Sequence, residues 1–234
     1  MAGQSRLDGS VRRFASIVLF SVSVFAAVSG CAKVSEGAGN DTDTQQIMEV
    51  KTDFDAYEAV MNGKDQFLYF ADGEDKAQSM NLMGVLDVFP SVGSAYKEIA
   101  GFAVVDLDGD GEQEVVLQIT DVGADGGGFL ILRCKDEQIH GYTANYKTFS
   151  ELKTDGTFAY ISLARPDDGI GTIRFREKGY DMIPFACSKT SYDLKTVTYQ
   201  KGQKRISEEA YLDLKKQHQA KTDVVWHPWN QDIF

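Results

Sequence analysis

The chain has 234 residues, 43% hydrophobic and 25% charged, with a formal net charge of −11. That length supports a well-buried core. The acidic balance argues against nucleic acid, whose affinity comes mainly from Lys and Arg neutralising phosphate, and against a surface drawn to anionic headgroups.

Arg6, Arg12 and Arg13 precede an apolar run from Phe14 to Val28, and Ser29 and Gly30 lead into Cys31. A basic start, a short apolar stretch and a small-residue cleavage site make a secretory signal. The run is interrupted by Ser16, Ser21 and Ser23 and falls short of the roughly 20 apolar residues a spanning helix needs. Val28-Ser29-Gly30-Cys31 resembles the lipobox of bacterial lipoproteins. The resemblance implies cleavage after Gly30, acylation of Cys31 (palmitate among the chains) and a place on the extracytoplasmic face of the cell membrane. Two or three acyl chains hold a protein there stably, where one is marginal. The expected organisation is a signal peptide over 1–30, a polar tether over 31–44 and a single domain over 45–234.

In the domain, Ile47, Phe54, Tyr57 and Met61 recur at helical spacing, and Asn62-Gly63 is a stop. Gln66–Phe70 reads as a short strand. Ser79 to Phe89 reads as a helix with Met80, Met83 and Leu86 on its inner face, ending at Pro90. Beyond it, apolar runs of strand length alternate with turns: 99–105, 114–120, 128–134, 138–144, 157–162, 172–176, 180–187 and 196–200. The close spacing leaves no room for crossover helices, so the strands should pair mostly antiparallel. A last helix should start at Ser207 and run to about Ala220. The fold class is therefore α+β: an antiparallel sheet, N-terminal helices and a late C-terminal helix.

The strongest chemical motif is Asp106-Leu107-Asp108-Gly109-Asp110-Gly111-Glu112-Gln113-Glu114, set between two apolar runs. Carboxylates at alternating positions followed by a glycine wrap oxygens around one ion, and a donor set without His or Cys selects a hard cation, calcium first. Asp106, Asp108, Asp110, Glu112 and Glu114 are the candidate ligands. The spacing begins like an EF-hand loop, but Leu117 stands at the twelfth position, where that loop needs a bidentate glutamate. The loop resembles more closely the hairpin of integrin-like FG-GAP repeats, whose ninth position, here Glu114, closes the site. That resemblance covers these nine residues and their flanks, and it implies a structural calcium ion.

Cys134 and Cys187 both sit in strand-like runs and leave two outcomes open, a disulfide across neighbouring strands or two buried thiols. His140, His218 and His227 share no metal spacing. Asp121 to Gly128 and Asp167-Asp168-Gly169 read as hairpin turns. Trp226 and Trp229 form the one tryptophan pair; they either fold back on the sheet or offer rings to a ligand. As a whole the chain resembles small lipoproteins of unknown function from Gram-positive bacteria. The expected function is a calcium-stabilised extracytoplasmic module that binds a cell-envelope glycan or protein. The second reading is an envelope hydrolase with acidic catalysts near the 121–128 loop.

Overall fold

The tight alternation of apolar runs and turns produces two sheets, seen in a computed structural model that describes residues 53–71, 76–90, 96–123 and 126–229. These residues belong to one unit, Met48–Phe234. The leader, Cys31 and the tether lie outside the described residues. No helix among the described residues is long and apolar enough to cross a membrane.

The first sheet contains β1 (Phe67–Phe70), β2 (Gln78–Met80), β3 (Lys97–Val105), β4 (Glu114–Asp121), β5 (Gly127–Lys135), β6 (Gln138–Asn145) and β12 (His227–Pro228), in the order β12-β3-β4-β5-β6-β1-β2. Every pairing is antiparallel except β1 with β6. The second sheet contains β7 (Phe158–Ile161), β8 (Asp168–Arg176), β9 (Gly179–Thr190), β10 (Val197–Lys201) and β11 (Lys204–Ile206), all antiparallel, in the order β11-β10-β9-β8-β7. With the helices α1 (Asp53–Met61), α2 (Leu82–Val88) and α3 (Glu208–Gln219) the fold is α+β.

The first sheet is covered on both faces, which explains why β4 and β5 read as continuous apolar runs where a half-exposed strand would alternate. Val115, Leu117, Leu130 and Leu132 pack against Tyr57 and Val60 of α1 and Val85 and Leu86 of α2. On the opposite face Val116, Ile131 and Tyr142 pack against Phe158, Ile173 and Cys187 of the second sheet. The inner face of α2 is Leu82, Val85 and Leu86. Met83, expected there, is 62% exposed, because the buried stripe follows Leu82, Val85 and Leu86 and leaves Met83 to one side, while Gln78–Met80 pairs as β2.

The start of α3 is set by Ser207, whose Oγ accepts from Ala210 N at 3.2 Å, with Glu208 and Glu209 favourably placed in the first turn. Tyr211 stacks on Tyr199 with centroids 5.2 Å apart and donates to the Asp168 carbonyl, and Lys215 Nζ meets Asp168 Oδ2 at 2.6 Å. These contacts fasten α3 to the second sheet.

Two alternatives left open by the sequence are decided here. Cys134 and Cys187 are free thiols, not a disulfide. They lie in different sheets, and Cys134 packs toward the helices while Cys187 belongs to the core between the sheets. Trp226 and Trp229 do not form one aromatic face. The tail pairs with β3 as β12, with His227 opposite Phe102. Pro228, which cannot donate, is tolerated because this is an edge strand. The Trp226 ring then lies 6.0 Å from Phe129, and Trp229 sits edge-on 6.4 Å from Phe102. Phe129 and Phe102 pack with different cores, one on each side of the sheet.

Leu130 is fully buried in this sheet. Leu130→Ala should lower the unfolding free energy by about 2–5 kcal/mol in urea titrations, with little change in the m-value. A loss below about 1 kcal/mol would contradict this packing.

Candidate metal centre

β3 and β4 are joined by the acidic loop, whose carboxylates organise its backbone. Asp106 Oδ1 accepts from Gly109 N at 2.7 Å and its Oδ2 from Gly111 N at 2.9 Å. Asp110 Oδ1 accepts from Glu112 N at 2.8 Å. Gly111 holds φ at +92°, a left-handed turn that a side chain would strain.

Two distant segments support the loop. Tyr57 of α1 donates to the Gln113 carbonyl at 3.0 Å while accepting from Cys134 N at 2.7 Å, tying the end of the loop to β5. The turn at Gly156 packs on the start of the loop. Gly156 has φ +74°, and a Cβ there would overlap the carbonyl oxygens of Asp106 and Leu107.

Asp106, Asp108 and Glu114 bring carboxylate oxygens within 4.8 Å of one another. Glu114 is 0% exposed and closes the group from below. Its Oε2 accepts from Leu107 N at 2.9 Å, whereas its buried Oε1 accepts no hydrogen bond. Arg133 Nε stands 3.5 Å from Oε1, an ion-pair distance without hydrogen-bond geometry. A buried carboxylate with one unsatisfied oxygen is costly unless something positive completes it. Asp110 turns instead to Arg133 Nη2 at 2.6 Å, and Glu112 is exposed; neither joins the group of three.

The local electrostatics follow from this crowding. Burial pushes the Glu114 carboxyl up to about 8; the Leu107 N–H opposes the shift and Asp108 adds to it. Burial, then Asp110, raises Asp108 as well, with Arg133 acting against them. Three converging carboxylates, all oxygen donors, form a candidate site for a hard cation.

Arg133, Tyr57 and Gly156 were not foreseen as part of this site. Arg133 did carry a signal: it is the one charged residue inside the apolar run Phe129–Cys134, and such a residue needs a partner. Tyr57 and Gly156 carry no comparable local mark.

The remaining candidates are dispersed. His140 Nδ1 lies 3.3 Å from the Tyr142 hydroxyl, His218 is 3.5 Å from Glu151, and His227 stacks on Phe102. Asp167 accepts from Thr190 N at 2.7 Å, and Asp168 and Gly169, expected in a turn, open strand β8 instead. Asp121 is buried at the end of β4, with Gly126 close against its carboxylate. A cleft of about 360 Å³ lies over Leu68, Phe70 and His140, with Lys135, Glu177 and Lys178 around it.

Comparison of the chain with protein-family models, curated proteins and solved structures returned no match.

Glu114 yields a pH test. Its folded value of about 8 exceeds the ordinary 4.5, so folding takes up a proton. The stability this group contributes is fully present below its unfolded value and is lost as pH rises through its folded value. In chelator, the wild type should lose on the order of a few kcal/mol relative to Glu114→Gln between about pH 5 and pH 8, the other shifted groups being common to both. Glu114→Gln should remove that slope in urea titrations; parallel slopes would refute it.

Proposed function

We propose that this chain is a lipid-anchored extracytoplasmic binding module whose domain is pinned by one structural calcium ion at Asp106, Asp108 and Glu114. The observation that carries the metal reading is Glu114, fully buried with an unsatisfied oxygen beside two aspartates. A divalent ion offsets the mutual repulsion of the carboxylates and supplies the charge that the buried oxygen lacks. Calcium suits the donors better than magnesium, since it takes six to eight oxygens in flexible geometry and retains fewer waters. Weak affinity is compatible with the role, because extracellular modules work with millimolar-grade sites.

The address rests on the basic leader, its short apolar run and Cys31. An ion site that fills only where calcium is abundant agrees with that address. On the binding side, the cleft beside His140 combines an apolar floor with charged groups of both signs.

Calcium binding to the folded state should raise stability by roughly 1–3 kcal/mol at about 10 to 100 times Kd. Thermal unfolding with calcium and with chelator reads this directly. The gain should vanish in Asp108→Ala and in Glu114→Gln, and magnesium should give less of it. An unchanged midpoint in the wild type ends the calcium reading. The anchor is tested separately by mass spectrometry of native membrane-fraction protein, which should find an acylated N-terminal Cys31; a chain retaining residues 1–30 without lipid overturns that part.

A further inference from the structure

We propose that Arg133 is a built-in counter-cation of the acidic loop, competing with the bound divalent ion and thereby setting its affinity. The inference rests on the calcium reading of Asp106, Asp108 and Glu114. Arg133 lies on β5 opposite His140 of β6, on the face turned toward the second sheet, and its side chain is 16% exposed. Its guanidinium reaches three carboxylates of the loop unequally. Nη2 is hydrogen-bonded to Asp110 at 2.6 Å, while the same nitrogen is 3.7 Å from Asp108 and Nε is 3.5 Å from Glu114. From the second sheet, the ring of Phe175 lies 4.4 Å from the guanidinium carbon. A cation held between an aromatic face and a carboxylate has little freedom to leave.

This arrangement accounts for the ligand set. The third aspartate of the alternating triplet is latched to Arg133, so the group of three closes with Glu114 instead. Arg133 leans on the remaining members without satisfying them, since Glu114 Oε1 and Arg133 Nε are both left without a hydrogen bond. A divalent ion seated on Asp108 and Glu114 therefore binds against a fixed positive charge a few ångströms away. At a partly buried site such a repulsion is screened only in part. The consequence is a site tuned to weak affinity by a residue that does not touch the ion.

The opposite role, a strut that holds the carboxylates in place for the ion, predicts the opposite sign. Calcium chloride titrated calorimetrically into the full chain separates the two, with circular dichroism reporting the fold. R133Q should bind calcium about tenfold more tightly or better, and R133K, which keeps the charge, should stay near the wild type. D110N should weaken binding in the wild-type background, because the neutral amide holds Arg133 less firmly and leaves more of its charge to Asp108 and Glu114. In the R133Q background it should change affinity by less than about twofold. Should R133Q fail to fold, R133M keeps an apolar stem against Phe175 and reads the same gain.

Equal or weaker binding by a folded R133Q overturns the proposal. An equal cost of D110N in both backgrounds also does, since Asp110 would then be a direct ligand. If neither the wild type nor R133Q takes up calcium at millimolar concentration, the calcium reading itself falls. Uptake by the wild type with no tightening in R133Q removes only the role of Arg133.

Discussion

The first sheet must bury both of its faces, and much of the rest of the molecule follows from that constraint. Helices α1 and α2 close one side and the second sheet closes the other. Strands between two apolar layers have no solvent face on which to place a charge. Charged groups at their ends must find partners within the protein or be completed by an ion. Glu114 at the start of β4 and Arg133 near the end of β5 are such groups, and they lie on the same side of the sheet. Their partial, unsatisfied pairing is a product of the layering.

The acidic loop resolves that tension locally. Its aspartates are spent first on their own backbone, where Asp106 fastens two N–H groups. That leaves a rigid turn with oxygens directed together, which is the preorganisation an ion site needs. Tyr57 and the Gly156 turn hold the loop from two other parts of the chain. An ion at this point would therefore bear on α1, the β3–β4 hairpin and the segment before β7 together. Such a pin stabilises a domain without taking part in any reaction.

Much of the architecture was legible in the chain. The runs at 114–120, 128–134 and 138–144 each become a strand with nearly the same bounds, since apolar runs bounded by turns depend on neighbours a few residues away. The Ser207 cap is equally local. The short strands β2, β11 and β12 were not legible, because two or three residues carry too little pattern and pair only when a neighbouring edge is offered. The parallel pairing of β1 with β6 joins segments roughly 70 residues apart, a distance over which no local signal reaches. Met83 failed for a related reason: with Met80 drawn into β2, the helix buries the stripe of Leu82, Val85 and Leu86, and Met83 falls outside it.

The sequence by itself determined that an acidic hairpin would follow an apolar strand, because turn-forming glycines and alternating carboxylates act over a few bonds. It also determined mostly antiparallel pairing and a capped last helix, for the same local reason, whereas the division of the strands into two sheets came only with the tertiary structure. Only the tertiary structure decided which carboxylates converge. Asp110 is drawn away by a guanidinium 23 residues further on, and Glu114 is turned inward by burial between the layers. Charges choose partners through space at a cost set by desolvation, and neither distance nor desolvation exists until the layers close.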